Sequence, residues 1–347
     1  MCAVIQENVD LQTLNTFGLK ALARYFCRVD SEALLKQALA FTREHHLPLL
    51  LIGGGSNLLL RENFPGLVIQ VALRGVTHTL RDANTVRVHA ASGENWHAFV
   101  QHCLAQGWYG LENLALIPGS VGAAPIQNIG AYGVEAGDFI ESVDVIDIHT
   151  GERETLSREQ CAFAYRDSVF KHSLRGRKLI LGVSFLLWRT PRPNLRYGAL
   201  AQALNGKAAE PQQIFDAVCA IRRSKLPDPA MLGNAGSFFK NPVLSAEHYA
   251  RLQQVNHDIP GFPSADGGSV KVPAAWLIER AGWKGRSHGG AAVYEKQALV
   301  LVNRDNASAQ DVVELAQHIM TSVQQQFAVT LEPEVQWVPP FDAPPLV

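Results

Sequence analysis

The chain has 347 residues, more than one domain usually holds, so two or three domains are expected. Hydrophobic residues make up 47% and charged residues 18%, and the formal charge of -1 lacks the basic excess of a nucleic-acid binder. The five cysteines have no CxxC spacing, no basic-then-apolar leader opens the chain, and the most apolar run (179–188) is about half a bilayer span, so a cytoplasmic, non-membrane protein with free thiols is expected. In chain order, Ser31 is an N-cap ahead of a helical apolar face at Ala33, Leu34, Ala38, Leu39 and Phe41, and His45 to Pro48 ends that helix. Residues 49–52 then read as a buried strand running into Gly53-Gly54-Gly55. Short strands are predicted over 67–71 and 85–90, a helix over 95–106, and a long Gly/Pro-punctuated segment over 111–137. Strands return at 143–149 and 179–188, followed by a Pro-rich stretch and an exposed loop at Arg196-Tyr197-Gly198. A helix over 211–223 opens on its proline, and 225–240 reads as loop. Helices over 272–281 and 308–327 flank a strand at 298–303, and a last strand is predicted over 330–338. Strands and helices alternate without a regular βαβ beat, which favours α+β over a doubly wound sheet.

Two glycine-rich stretches could carry chemistry. In Gly53-Gly54-Gly55-Ser56-Asn57, successive backbone N–H groups after a buried strand can cradle an anion, and Ser56 and Asn57 add side-chain hydrogen bonds. A tight turn explains the same residues. A dinucleotide fingerprint does not, because Leu58 fills the third-glycine position. The second stretch, Ile117 to Gly133, holds four glycines and almost no charge, which suits close contact with a large flat ligand or, equally, a loop buried between domains. The histidines lack the spacing of a helical zinc site, so no metal is expected.

These motifs carry a resemblance. GGGSNLL, IPGSVGAAPIQNIGAYG, AYRDSVFK, KLPDP with GNAGSFFKNP, and LEPEV occur here in the order and spacing of the UDP-N-acetylenolpyruvoylglucosamine reductases, from about Leu14 to Val335. The resemblance implies a vanillyl-alcohol-oxidase-type FAD-binding fold, two subdomains at 1–72 and 73–205, with a C-terminal α+β substrate-binding domain at 206–335. The tail 336–347 would return to the first subdomain. It also implies non-covalent FAD, NADPH as co-substrate, a UDP-sugar enolpyruvate as substrate, and a monomer. Arg196-Tyr197-Gly198 resembles the family variant whose tyrosine loop closes over the UDP group.

Carried over by motif, Arg166 would stabilise the reacting intermediate, Ser237 would be the proton donor and Glu334 the catalytic carboxyl group. Cofactor contacts would come from Gly53, Gly54, Gly55, Ser56, Asn57, Pro118, Gly119, Ser120, Gly122, Ala123, Ala124, Ile126, Gly130 and Ala131. Tyr197, Lys225, Asn241 and Gln127 would meet the nucleotide-sugar. The residue types suit the implied reaction. Hydride added to C3 of an enolpyruvyl group leaves negative charge at C2 that spreads into the carboxylate, where a guanidinium can hold two oxygens and a protonated Glu can donate a hydrogen bond. A placed hydroxyl can then protonate C2.

Taken without the family, Arg166 beside Asp167 reads as a surface ion pair, Ser237 as a turn residue, and Glu332 is as good a candidate as Glu334. The chain departs from the family after Val335, where Gln336 stands in place of a basic residue. Two other classes compete: an oxygen-using FAD oxidase, disfavoured by the Lys225 and Ser237 motifs and the lack of a flavin-linking motif, and a non-catalytic nucleotide-sugar binder, disfavoured by the intact glycine-rich stretches.

Overall fold

Ser31 accepts a hydrogen bond from the Leu34 N–H, as a helix N-cap does, and the helix Glu32–Glu44 follows, burying Leu35, Ala38 and Leu39. It ends at His45, and His46 takes a left-handed φ of 50° that turns the chain into the strand Leu49–Ile52. The computed structural model describes residues 4–205, 209–264 and 266–340. The chain divides into two compact units. Unit one holds residues 1–9, 23–54 and 64–224, and unit two holds 10–22, 55–63 and 225–347.

Unit one contains two sheets. The first orders Gln6–Asp10, Leu22–Val29, Phe64–Val71 and Leu49–Ile52, with Phe64–Val71 parallel to the strands on either side of it. The second is an antiparallel sheet in the order Arg153–Ser157, Ile140–Asp147, Lys178–Trp188, Thr85–Ala91 and Val76–Leu80. Under this sheet lies a core around Trp96, Phe99, Val183, Phe185 and Leu187. The helix Pro211–Lys225 adds Ile214, Phe215, Val218 and Cys219 to that same core. The domain boundary expected near residue 205 therefore falls inside unit one, because burying this apolar face ties the helix to what precedes it.

Unit two is built on Phe238, Leu277, Leu301, Ile319 and Phe327, with the helix Ala309–Phe327 packed on the sheet Gly233–Ser237, Val300–Asn303, Ala291–Val293 and Ser287–His288. A smaller sheet of Val243–Ser245, Ser269–Lys271 and Phe262–Pro263 accompanies it. Two predictions need correction here. The 225–240 stretch contains the strand Gly233–Ser237, and the strand expected over 330–338 shrinks to Gln336–Val338. Pro333 has no N–H for a ladder, and the stretch before Gln336 pairs only through an isolated bridge to Phe239. Gln336–Val338 runs parallel to Leu58–Leu60, a segment numbered within the expected first subdomain but belonging to unit two; the rest of the tail, 341–347, lies outside the described residues.

No helix among the described residues is long and apolar enough to cross a membrane. Cys27, Cys103, Cys161 and Cys219 are free and buried. Burial pushes the Cys27 thiol up to about 11 and Cys161 to about 12, and raises Cys103 and Cys219 as well. A thiolate is the reactive form. Alkylation at neutral pH should therefore spare these four thiols in the native protein and label all of them after denaturation, as peptide mass mapping would show; native labelling of any one would contradict the burial.

Candidate active site

The expected site residues divide between the units. Gly53, Gly54, Pro118, Gly119, Ser120, Gly122, Ala123, Ala124, Ile126, Gln127, Gly130, Ala131, Arg166 and Tyr197 lie in unit one. Gly55, Ser56, Asn57, Lys225, Ser237, Asn241 and Glu334 lie in unit two.

Within unit one the glycines are required by close packing. A Cβ on Gly53 would stand 2.5 Å from Ser120 Oγ, and one on Gly122 would stand 2.5 Å from the Ser92 Cβ. Gly54 faces the Gly119 Cα at 3.7 Å from its would-be Cβ. The turn after Leu49–Ile52 and the start of the 117–133 stretch are thus laid against each other, with the Ser120 side chain packed on Gly53 and backbone facing backbone at Gly54 and Gly119. Hydrogen bonds fix that placement: Trp96 N–H donates to Gly119 O (3.1 Å), Val121 N–H to Glu94 O (2.8 Å) and Gly122 N–H to Ser92 O (2.8 Å). Ser92 Oγ is buried and has no protein partner. A glycine-rich seam with small side chains and one orphaned buried hydroxyl is what a cofactor held largely by backbone groups needs, so these residues fit FAD.

The second half of the stretch is organised by a residue the sequence did not single out. Asn128, at φ 45°, donates to Glu135 Oε2 (2.7 Å) and Ala164 O (3.0 Å) and accepts from Gly137 N–H (2.7 Å). This joins the stretch to the turn that carries Arg166. In that turn Ala164 and Asp167 exchange backbone bonds at 3.1 Å, and Arg166 sits at φ 53°. Its Nη2 donates to Gly130 O at 2.6 Å, and Lys171 Nζ donates to the Arg166 carbonyl at 3.0 Å. Tyr132 and Tyr197 meet edge to face, with centroids 5.3 Å apart. The Arg222 guanidinium lies beside the Tyr132 phenol, and its pKa is lowered by burial and by the positive charge of Arg166. Burial in turn raises the Tyr132 phenol. Two guanidiniums near each other, one of them beside a phenol, suit an anionic ligand. Arg222 was passed over in the sequence because an arginine on a helix reads by default as a solvated face.

Unit two places Glu332 and Glu334 in different surroundings. Glu332 is exposed and paired with Lys240 at 3.0 Å. Glu334 is half-buried, and its N–H donates to Phe238 O at 2.8 Å, one residue past Ser237. Asn57 Nδ2 donates to Glu334 O (3.2 Å), and Asn57 O accepts from Gln336 N–H (2.9 Å). Asn57 thus braces the LEPEV segment from behind. Gly55 is needed by the same unit: at φ 64°, its Cβ would fall 2.0 Å from Leu14 O. Asn241 Oδ1 accepts from Ala274 N–H at 2.9 Å, capping that helix and keeping its amide nitrogen as a donor. Among the described residues no group of His, Cys, Asp and Glu is placed to hold a metal ion.

Comparison with known proteins shows the family and the fold. The family description "UDP-N-acetylenolpyruvoylglucosamine reductase, C-terminal domain" matches residues 228–338, and "FAD binding domain" matches 23–157. The chain is similar to the UDP-N-acetylenolpyruvoylglucosamine reductase of Pasteurella multocida, 51% identical over 95% of this chain and 96% of that one. It is 49% identical to the Chromobacterium violaceum enzyme of the same name, over 96% of this chain and 99% of the relative. Among solved structures, that of UDP-N-acetylenolpyruvylglucosamine reductase from Thermus caldophilus superposes with a TM-score of 0.66 at 26% identity, covering 96% of this chain and 99% of its own. The α+β expectation, an FAD-binding fold followed by a C-terminal α+β domain, is borne out.

Proposed function

The chain belongs to the UDP-N-acetylenolpyruvoylglucosamine reductase family, and on that footing we propose its reaction. It is an FAD-dependent oxidoreductase that reduces UDP-N-acetylglucosamine enolpyruvate to UDP-N-acetylmuramate with NADPH. It does so in the cytoplasm, as a monomer, and supplies a peptidoglycan precursor for cell-wall growth and division.

Bound FAD supplies a hydride acceptor for NADPH and a hydride donor for C3 of the enolpyruvyl group. Gly53, Gly54, Gly119, Ser120 and Gly122 hold it through backbone, and Ser92 Oγ is a further donor for it. Arg166 grips the substrate carboxylate as charge builds at C2, its reach set by the bond to Gly130 O. Ser237 gives its hydroxyl proton to C2. Glu334, in its protonated form, is a hydrogen-bond donor to the developing negative charge. Tyr197, Lys225, Asn241 and Gln127 hold the nucleotide-sugar, with Lys225 and the Asn241 amide as donors to oxygens of the diphosphate or sugar.

The observation that carries this reading is the pairing inside unit two of 238–240 with 332–334, which lays the segment that directly follows Ser237 against the one that carries Glu334. The test is spectroscopic. The purified protein should be yellow, lose its colour on anaerobic NADPH and regain it on adding the enolpyruvyl substrate, and acid precipitation should leave the flavin in solution. A protein without flavin, or with flavin that stays in the acid pellet, overturns the cofactor assignment. Flavin that NADPH does not bleach overturns the reductant.

A further inference from the structure

Leu116 stands just before the 117–133 stretch and takes a left-handed φ of 58°, a conformation unfavourable for a branched aliphatic residue. Both of its backbone polar groups are held by side chains from elsewhere in unit one. Its N–H donates to His97 Nδ1 at 3.0 Å, from the helix Trp96–Ala105. Its carbonyl accepts from Arg222 Nε at 3.1 Å, from the helix Pro211–Lys225. The His97 ring is itself fixed, stacked on Phe215 with centroids 5.3 Å apart and planes 10° apart. Phe215 and Arg222 are two helical turns apart and so lie on one face, which presents a ring to orient the imidazole and a guanidinium to hold the carbonyl. Arg222 also lies beside Tyr132, at the other end of the stretch, where φ is again positive at 50°.

We propose that His97 is a positioning residue for cofactor binding: as a hydrogen-bond acceptor it keeps Leu116 left-handed, and so sets the path on which 117–133 meets the flavin. This rests on the assignment of that stretch to the cofactor. The role requires Nδ1 to be unprotonated, because an imidazolium has two donors and no acceptor. The protein favours that form, since burial and the positive charges of Arg223 and Arg222 lower the His97 pKa below the ordinary imidazole range. Acidification through that lowered range protonates His97, breaks the bond to Leu116 and loosens the flavin.

The test is release of FAD from diluted holoprotein, followed by the rise in free-flavin fluorescence, as a function of pH. His97→Phe keeps the stacking surface and removes the acceptor; it should raise the FAD dissociation constant about tenfold at neutral pH, the size expected for one lost acceptor. His97→Asn places Oδ1 where Nδ1 was and cannot titrate, so it should bind FAD within about threefold of wild type at neutral pH and lack the wild-type rise in release as the pH falls below the ordinary imidazole range. Should His97→Phe bind FAD as wild type does, or should His97→Asn reproduce the wild-type pH profile, the inference is wrong. If His97→Phe does not fold, the comparison of His97→Asn with wild type still decides. A wild-type protein that carries no FAD at all would instead count against the cofactor assignment on which this rests.

Discussion

Ser237→Ala is expected to leave flavin bleaching by NADPH at the wild-type rate and to slow recolouring by the enolpyruvyl substrate by about 10²–10⁴-fold, the usual worth of a positioned general acid. The asymmetry follows from where the proton is needed. No proton from Ser237 enters the NADPH step, whereas C2 of the substrate must gain one once hydride has reached C3. The substitution is also small in structural terms. Ser237 is the half-buried last residue of the strand Gly233–Ser237, paired opposite Val300, and alanine keeps its backbone bonds. The strand itself is anchored elsewhere, by Thr16 Oγ1 on Asn234 O at 2.6 Å and by the Asn234 side chain on Gly236 N–H. Ser237→Cys, which restores an ionisable proton donor, should recover part of the lost rate. Stopped-flow traces at the flavin band read both halves in one experiment. Equal slowing of both would mean that Ser237 shapes the flavin's surroundings and is not the acid.

The strand that ends in Ser237 was also where reading the sequence failed. Gly233-Asn234-Ala235-Gly236-Ser237 has none of the β-branched or aromatic residues that mark a strand, so 225–240 reads as loop. It forms a strand because Val300–Asn303 presents a ladder to it and because Gly233 lets the Phe17 carbonyl approach, where a Cβ would stand 2.2 Å away. The error at 330–338 was the reverse. Apolar residues alternate with Glu332 and Glu334 as in a strand, yet Pro333 leaves a bridge where a ladder was expected. Helices were far more legible, since Ser31, Asn95 and Ser308 each cap the helix they precede with a side-chain bond.

The candidate site residues come from motifs, but the contacts that support them could not be read from the sequence. Asn57 reaching the Glu334 carbonyl spans 277 positions, and Arg222 reaching Leu116 spans 106. No local pattern records such pairings. The same limit hid the assignment of 10–22 and 55–63 to unit two, because those short segments are claimed by burial of Phe17, Leu19 and Leu59 in a core made mostly of residues after 225.

Arg166→Lys is expected to spare reduction by NADPH and to cut the substrate half-reaction by about 10²–10³-fold, as for the loss of a donor aimed at developing negative charge. Lysine keeps the charge but loses the fork that holds two carboxylate oxygens. The backbone makes a companion variant more telling. Arg166 is the second central residue of the turn Ala164 to Asp167 and sits at φ 53°, a position that type II turns reserve for glycine or asparagine. A side chain there costs about 1–2 kcal/mol, strain that persists where a function demands it. Arg166→Gly removes the guanidinium and the strain together. Its melting temperature should match or exceed that of wild type while its substrate half-reaction falls at least as far as that of Arg166→Lys. Gly130→Ala attacks the same contact from the other side, since its Cβ would stand 2.9 Å from Arg166 Nη1 and displace the guanidinium without changing any charge. It should slow the same half-reaction, by about tenfold or more for a misplacement of this size. An Arg166→Gly protein that melts well below wild type would show that Arg166 is retained for the fold, and an Arg166→Lys protein that turns over substrate normally would remove it from the chemistry.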